Sequence, residues 1–245
     1  LGSGVTTVTL LGDAPFDVIG NNSVNVINGN DGDNSIRGNG GADVLDGGEG
    51  SDTYEVSGAS HGFDSITDTG SAGTDTILAL SNNTRIGLAG NFGSGNGIEV
   101  IDGGVGNTGV YVSGDGAANT LDFSGMTLTN IAFIDGGNGD DVITGTDGDD
   151  TIRGSAGNDT MDGGEGSDTY QVSGTGHGYD SYDDNGTVGI DTIVALSNNT
   201  RIGLAGDFGS GNGIEAIDGD GRTGVYVAGD GAANTLDFSG MTLTN

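Results

Sequence analysis

The chain has 245 residues, of which 36 are acidic and only five basic, so its formal charge is -31 at pH 7. This charge makes a compact state repel itself unless cations neutralise it, and it excludes nucleic acid and anionic membranes, which are bound through basic patches. The absence of cysteine excludes disulfides and thiolate metal sites, and no apolar run is long enough to span a membrane.

Glycine dominates the composition. The chain contains 54 glycines, with 32% hydrophobic and 5% aromatic residues, which is close to the composition of a disordered protein. Short apolar triplets nevertheless recur at fixed spacing, and a solvated tail would not need them. We therefore expect a fold that depends on a bound cation rather than unconditional disorder.

The chain is two copies of one long unit. Three segments recur, the last two without change: Ile36–Tyr54 as Ile152–Tyr170, Ala79–Gly90 as Ala195–Gly206, and Gly114–Asn130 as Gly229–Asn245. We predict a junction segment at 1–19, repeat unit 1 at 20–130 and repeat unit 2 at 131–245. Each unit begins with a tightly repeating cluster (20–55 and 136–171) followed by a looser stretch (56–130 and 172–245). Because neither end resembles a capping repeat, we expect a segment of a longer array or a subunit covered by neighbouring subunits.

Each cluster has a period of nine residues. The frames are Gly20–Asn28, Gly29–Arg37, Gly38–Asp46, Gly47–Glu55, Gly136–Thr144, Gly145–Arg153, Gly154–Asp162 and Gly163–Gln171. Position one is always Gly, position six is Asn or Asp, and position eight is apolar or aromatic. The last three positions predict a minimal strand with position eight pointing inward, and the first six predict a turn in which Gly allows close backbone approach.

Two frames make one coil with two short strands, and stacked coils place like strands side by side in parallel sheets. One coil cannot bury its inward residue alone. Each buried apolar side chain contributes about 1.5–3 kcal/mol, against roughly 1–2 kcal/mol of backbone entropy for every ordered residue. We therefore predict an all-β parallel β-roll, or β-solenoid, that a metal ion must help to hold together.

The turns suit Ca²⁺, a hard cation that takes six to eight oxygen ligands from carboxylates and carbonyls. Each ion would lie between turns of frames i and i+2. The expected pairs are Asn25 with Asp43, Asn34 with Asp52, Asp141 with Asp159 and Asp150 with Asp168. The sites with Asn should bind more weakly because the amide carries no charge. Further candidate ligands in the same turns are Asp31, Asp33, Asp147 and Asp149.

These frames resemble the RTX (haemolysin-type) nonapeptide repeats, a family of calcium-binding parallel β-rolls. The eight in-frame matches cover Gly20–Glu55 and Gly136–Gln171. The following segments, Asp52–Asp68 and Asp168–Asp184, resemble the edge motif that often follows such runs. Further carboxylates there could hold ions or could be solvated turn residues: Asp64, Asp68, Asp75, Asp180, Asp184 and Asp191.

The looser stretches contain short strand candidates separated by Gly, Asn or Asp turns, and no helical apolar stripe. Continuation of the solenoid is the simpler interpretation, and a separate small β-sandwich per unit is the alternative. His61 and His177 are expected to be turn residues rather than zinc ligands, and Arg85 and Arg201 to be partners of turn aspartates or lateral contacts between chains. No nucleophile motif is present, and we expect the chain not to be an enzyme.

The resemblance implies secretion by a bacterial one-step exporter, with folding outside the cell where Ca²⁺ is abundant. We expect an extracellular structural or adhesive protein of the bacterial surface, such as a fibre, S-layer component or adhesin stalk, forming a homo-oligomer or filament by repeat stacking. The alternatives are the C-terminal export and folding module of a secreted enzyme and a toxin repeat region. The expected cofactor is Ca²⁺, at several sites.

Overall fold

The computed structural model describes residues 1–245, and its regular structure is almost entirely β-strand. The first strands are β1 (Thr7–Thr9), β2 (Asp17–Ile19), β3 (Val26–Asn30), β4 (Ser35–Arg37), β5 (Val44–Gly48), β6 (Thr53–Val56), β7 (Ser65–Ile66), β8 (Thr76–Ala79), β9 (Arg85–Gly87), β10 (Val100–Asp102), β11 (Tyr111–Ser113), β12 (Thr120–Asp122) and β13 (Thr127–Thr129). The remaining strands are β14 (Ile134–Asn138), β15 (Val142–Thr144), β16 (Thr151–Ala156), β17 (Thr160–Asp162), β18 (Thr169–Val172), β19 (Ser181–Tyr182), β20 (Thr192–Ala195), β21 (Arg201–Leu204), β22 (Ala216–Asp218), β23 (Tyr226–Gly229) and β24 (Thr242–Thr244).

Helical structure is limited to two short 3-10 turns at equivalent positions of the two repeats, Ser94–Asn96 and Ser210–Asn212. None of the helical segments has the length and apolarity required to cross a membrane.

Contacts divide the chain into two compact units. From here on, unit 1 denotes Leu1–Asp115 with Gly125–Ala132, and unit 2 denotes Gly116–Ser124 with Phe133–Asn245. In unit 1, one sheet has the order β1-β3-β5-β7, a second has the order β13-β10-β8-β6-β4-β2, and β9 pairs with β11. In unit 2, the corresponding sheets are β12-β15-β17-β19 and β24-β22-β20-β18-β16-β14, and β21 pairs with β23.

The predicted all-β parallel solenoid is confirmed, with about 11 turns between residues 7 and 244. In unit 1, strands β8, β10 and β13 of the looser stretch extend the same parallel sheet as β4 and β6. In unit 2, strands β20, β22 and β24 do the same. The alternative of a separate β-sandwich in each repeat is therefore wrong.

The core is built from inward side chains of stacked strands, mostly one or two from each strand. Ile36 in β4 lies opposite Tyr54 in β6, which lies opposite Ile77 in β8, and all three are fully buried. The second repeat places Ile152, Tyr170 and Ile193 in the same register. Because the strand period of two points their neighbours outward, each coil buries few apolar side chains, as the nine-residue pattern predicts.

Strand candidates in the first looser stretch correspond to strands β8, β9, β10, β11, β12 and β14, with ends that differ by a few residues. The sequence did not predict β13, although it pairs in parallel with β10. Its only inward residue is Leu128, at the margin of the sheet.

Candidate calcium centres

Turns on the same side of a unit are joined by a ladder of hydrogen bonds through the position-six side chains. In unit 1 the backbone N–H of Asn25 donates to Oδ1 of Asp43 at 2.7 Å, and the N–H of Asp43 donates to Oδ1 of Asp64 at 2.9 Å. These side chains are buried. One oxygen of each carboxylate therefore accepts a hydrogen bond that keeps the preceding turn in register.

A second ladder runs along the other side of unit 1. The N–H of Asn34 donates to Asp52 at 2.6 Å, that of Asp52 donates to Asp75 at 2.7 Å, and that of Asp75 donates to Glu99 at 2.8 Å. The expected partners Asn34 and Asp52 are thus stacked on consecutive turns. The ladder also continues to two carboxylates beyond the nonapeptide cluster.

Unit 2 repeats both ladders with aspartate in place of asparagine. One ladder links Asp141, Asp159 and Asp180, with N–H to Oδ1 distances of 2.9 and 3.1 Å. The other links Asp150, Asp168, Asp191 and Glu215, with distances of 2.7, 2.8 and 2.9 Å. The expected pairs Asp141 with Asp159 and Asp150 with Asp168 therefore lie on stacked turns.

The second oxygen of several ladder carboxylates has no hydrogen-bond partner although it is buried. This is the case for Oδ2 of Asp43, Asp52, Asp159 and Asp168, whose side chains are 1% exposed. A buried carboxylate oxygen without a partner is costly and calls for a cation or a proton. These oxygens without a partner recur at equivalent positions of the two repeats. They are therefore a regular feature of the turns.

Two of these residues, Asp52 and Asp168, belong to clusters of three carboxylates. Asp52, Asp68 and Asp75 in unit 1 each place one oxygen within 4.8 Å of the other two, and all three residues are buried. In unit 2 the same triad is formed by the residues Asp168, Asp184 and Asp191.

A buried tyrosine orients each triad. In unit 1 the hydroxyl of Tyr54 accepts a hydrogen bond from the N–H of Gly47 at 2.6 Å and donates to Oδ2 of Asp68 at 2.9 Å. In unit 2 the hydroxyl of Tyr170 accepts from Gly163 N–H at 2.7 Å and donates to Asp184 at 2.6 Å. The tyrosine at position eight of the last frame therefore fixes both the turn and one triad carboxylate.

The triad carboxylates resist ionising together. Burial raises the pKa of Asp52 to about 7, the hydrogen bond from Asn34 opposes this, and the charges of Asp68 and Asp75 add to it. Burial likewise raises the pKa of Asp75 to about 6 and that of Asp168 to about 7. At neutral pH a divalent cation removes the same repulsion that protonation would relieve.

The donor set fits Ca²⁺. All triad side-chain donors are carboxylate oxygens, which hard cations prefer. Backbone carbonyls also face the gap between turns, since a Cβ on Gly70 would lie 1.8 Å from the carbonyl oxygen of Gly48, and one on Gly73 would lie 1.9 Å from that of Gly50. Carboxylates and carbonyls together can supply the six to eight oxygens of a calcium site.

Four other expected ligands lie on the outside of the turns. Asp31, Asp33, Asp147 and Asp149 are exposed. Asp33 and Asp149 accept hydrogen bonds from the backbone of the next same-side turn, at Ser51 and Ser167. Asp150 is half-buried, and its Oδ2 accepts two hydrogen bonds from Thr146 of its own turn. None of these residues belongs to the triads.

The frame search missed two turns that complete the triads. Gly70–Leu78 (GSAGTDTIL) and Gly186–Val194 (GTVGIDTIV) have Gly at positions one and four, Asp at six and Ile at eight. They follow the preceding frame after an insertion, so a search for uninterrupted frames passes over them. Testing the nine-residue pattern without requiring contiguity would have found them.

A histidine and an arginine lie at the end of the ladder that runs through Asp159 to Asp180. In unit 2 the ring of His177 contacts Asp180 Oδ2 at 3.1 Å and the carbonyl oxygen of Arg201. Burial lowers the pKa of His177, but these two hydrogen bonds outweigh it and the net pKa is raised. Arg201 donates to the carbonyl of Gly178 at 2.8 Å and its guanidinium stacks on Tyr179. The arginine therefore contacts a turn carbonyl rather than a turn carboxylate, and unit 1 repeats the arrangement.

A family model described as an RTX calcium-binding nonapeptide repeat (4 copies) matches residues 19–54 and 135–170. These two segments match RTX calcium-binding repeats. They cover the frames identified above except for the last residues, Glu55 and Gln171, and the resemblance inferred from the frames is confirmed for these segments. No curated protein matches the chain.

The RTX repeats imply that calcium binds this chain, and repeats of this kind are typical of secreted proteins. Each triad joins the last matched aspartate, Asp52 or Asp168, to two carboxylates outside the match. The candidate calcium centres therefore extend beyond the matched segments.

Proposed function

We propose that this chain is an extracellular structural repeat protein of the bacterial surface that folds when Ca²⁺ occupies its turns, and that it has no catalytic role. The observation that carries the proposal is the pair of buried carboxylate triads, each with an orphaned oxygen on Asp52 or Asp168. At neutral pH, a fold that buries three carboxylates at one point is destabilised unless a cation joins them.

Calcium then acts as a compartment-dependent folding switch. Extracellular modules bind Ca²⁺ with dissociation constants of about 10⁻⁴–10⁻³ M, and binding to the folded state alone stabilises it by mass action. With a formal charge of -31, the metal-free chain should remain expanded. Export in an unfolded state and folding outside the cell follow from this dependence.

A structural or adhesive role is supported by the likeness of the two repeats. Unit 1 and unit 2 present the same ladders and the same triads, as an extended array requires. Solenoid repeats stack on their neighbours, and chains that stack head to tail without closing form filaments. We include such self-association in the proposal.

The test is a calcium titration of the metal-free chain, followed by far-UV circular dichroism and light scattering. The wild type should gain β-structure cooperatively and then scatter light in proportion to chain concentration. The double variant Asp52→Asn/Asp168→Asn should need at least tenfold more calcium. The charge-matched control Asp31→Asn/Asp147→Asn, altered at exposed positions of similar turns, should behave as the wild type.

Absence of folding at millimolar calcium would refute the proposed switch. Equal shifts in the triad variant and the control would refute the assignment of the triads. Folding without scattering would remove self-association from the proposal and leave a monomeric stalk.

A further inference from the structure

Unit 2 contains an open cavity of about 430 Å³ that its counterpart in unit 1 lacks. The cavity lies between the turn at Gly154–Ala156 and the loop that carries His177. The equivalent region of unit 1, around Gly38 and His61, encloses only about 30 Å³. Because the two repeats are otherwise so alike, the difference must arise from the few positions at which their side chains differ.

At the mouth of the cavity the arginine of each repeat bonds to the same neighbouring position, but the group at that position differs. In unit 1, Arg37 forms an ion pair with Glu55. In unit 2 the equivalent Arg153 stacks 3.6 Å from the ring centre of Phe133 and donates to Oε1 of Gln171 at 2.7 Å. The position of Phe133 is an aspartate in unit 1, so the stack cannot form there. The change from Glu55 to Gln171 therefore replaces an ion pair by a hydrogen bond to an uncharged amide, while Arg153 also gains the ring of Phe133.

The rim also gains a carboxylate in unit 2. Asp135 stands where unit 1 has Ile19. Its Oδ1 accepts hydrogen bonds from Ser155 Oγ at 2.6 Å and from Gly137 N–H at 3.1 Å, which leaves Oδ2 as an acceptor. Ser155 has a φ of 72°, and the equivalent Asn39 of unit 1 has a φ of 69°, so the backbone of this turn is the same in both repeats and the hydroxyl of Ser155 is what differs.

Apolar and aromatic side chains line much of the cavity, together with the buried pair His177 and Asp180. Met161, Val172 and Tyr182 form its apolar floor, and all three are buried. In unit 1 a leucine and an isoleucine replace the methionine and the tyrosine. An apolar floor with a few polar groups at the mouth is the usual construction of small-molecule pockets, which occupy about 300–1,000 Å³.

We propose that this cavity binds a small uncharged polyhydroxylated molecule, specifically a monosaccharide. The rim carries fixed charges of both signs, Arg153 and Asp135, so a ligand with a net charge of either sign meets one repulsive group. A hydroxyl both donates and accepts, and can pair with Asp135 Oδ2 and with the amide nitrogen of Gln171. The C–H face of a sugar ring would pack on the apolar floor. A single ion would fill only a small part of 430 Å³.

Saturation-transfer NMR on the calcium-loaded chain tests this site. The probes are the methyl glycosides of glucose, galactose and mannose, with glucosamine and glucuronate as charged analogues. At least one neutral glycoside should receive saturation, and both charged sugars should receive less. Gln171→Glu, which removes the amide donor and lets position 171 form a charged pair with Arg153, should weaken binding at least tenfold. Asp135→Asn should weaken it as well, and Glu55→Gln in unit 1 should leave it unchanged.

Circular dichroism at the same calcium concentration shows that each variant is folded. No transfer to any neutral glycoside would overturn the inference, and so would transfer that persists in both Gln171→Glu and Asp135→Asn. Stronger binding of glucosamine or glucuronate would show that the site selects a charged ligand and would overturn the assignment of an uncharged one.

Discussion

Replacing the first glycine of a frame should displace a calcium-turn carboxylate. A Cβ on Gly38 would lie 2.1 Å from Oδ2 of Asp43. Carbon–oxygen contacts lie near 3.3 Å or more, so the carboxylate must retreat by roughly 1 Å. Its Oδ1 accepts the N–H of Asn25 at 2.7 Å, and the retreat breaks this bond. Losing a hydrogen bond to a charged group costs about 1.5–3 kcal/mol, and the gain from Gly→Ala in the unfolded chain is about 0.4–1 kcal/mol.

We therefore expect Gly38→Ala to lower the free energy of unfolding by about 1–2 kcal/mol in saturating calcium, from the same two magnitudes. Urea unfolding followed by circular dichroism measures it. The matched control is Gly40→Ala in the same turn, where a Cβ would meet nothing nearer than Asn22 Oδ1 at 3.4 Å. Equal losses in the two variants, or no loss in Gly38→Ala, would refute the reasoning.

Three further predictions concern the buried turn carboxylates of unit 2. Asp168→Asn should weaken calcium binding at least tenfold, or about 1.4 kcal/mol, when measured by calorimetry. Tyr170→Phe leaves the hydroxyl's two partners unsatisfied, one of them on Asp184, and should cost about 1–3 kcal/mol in thermal unfolding. Without calcium, acid should favour the folded state, because burial raises the pKa of Asp159 from 3.8 to about 7. This stabilisation is complete below pH 3.8 and is lost as the pH rises through about 7, which circular dichroism in chelator can follow.

The first two of these predictions have matched control variants, and the third has a result that would contradict it. Asp183→Asn changes the same charge at an exposed position beside the triad and should leave calcium affinity nearly unchanged. Tyr179→Phe alters a half-buried tyrosine without a role in the triad. Metal-free stability that increases between pH 4 and pH 7 would contradict the assignment of protonated turn carboxylates.

The nine-residue pattern predicted the fold well because it acts locally and repeats. Position eight of every frame, from Ile27 to Tyr170, is buried, and a strand period of two makes this follow from the sequence alone. The pairing of frames i and i+2 follows because two frames form one coil. The sequence pattern alone therefore predicts that Asn34 and Asp52 lie on stacked turns.

The triads were harder to predict because their residues come from turns of unequal length. Asp68 reaches Asp52 only because an insertion separates the last frame from Gly70, and sequence spacing alone does not give the path of an insertion. Conversely, Asp31 and Asp147 satisfy the composition of a calcium turn but point outward. The observed strand ends also differ from the predicted ones, because pairing with the neighbouring coil determines where a short strand ends.

Hydrogen exchange of the full chain, with and without calcium, tests the central claim most directly. In one millimolar calcium the ladder amides of Asp43, Asp52, Asp159 and Asp168 should be protected together, and in chelator at neutral pH they should exchange at the rate of an unfolded chain. Equal protection of these amides in chelator would mean that the solenoid stands without a cation, and would contradict the account.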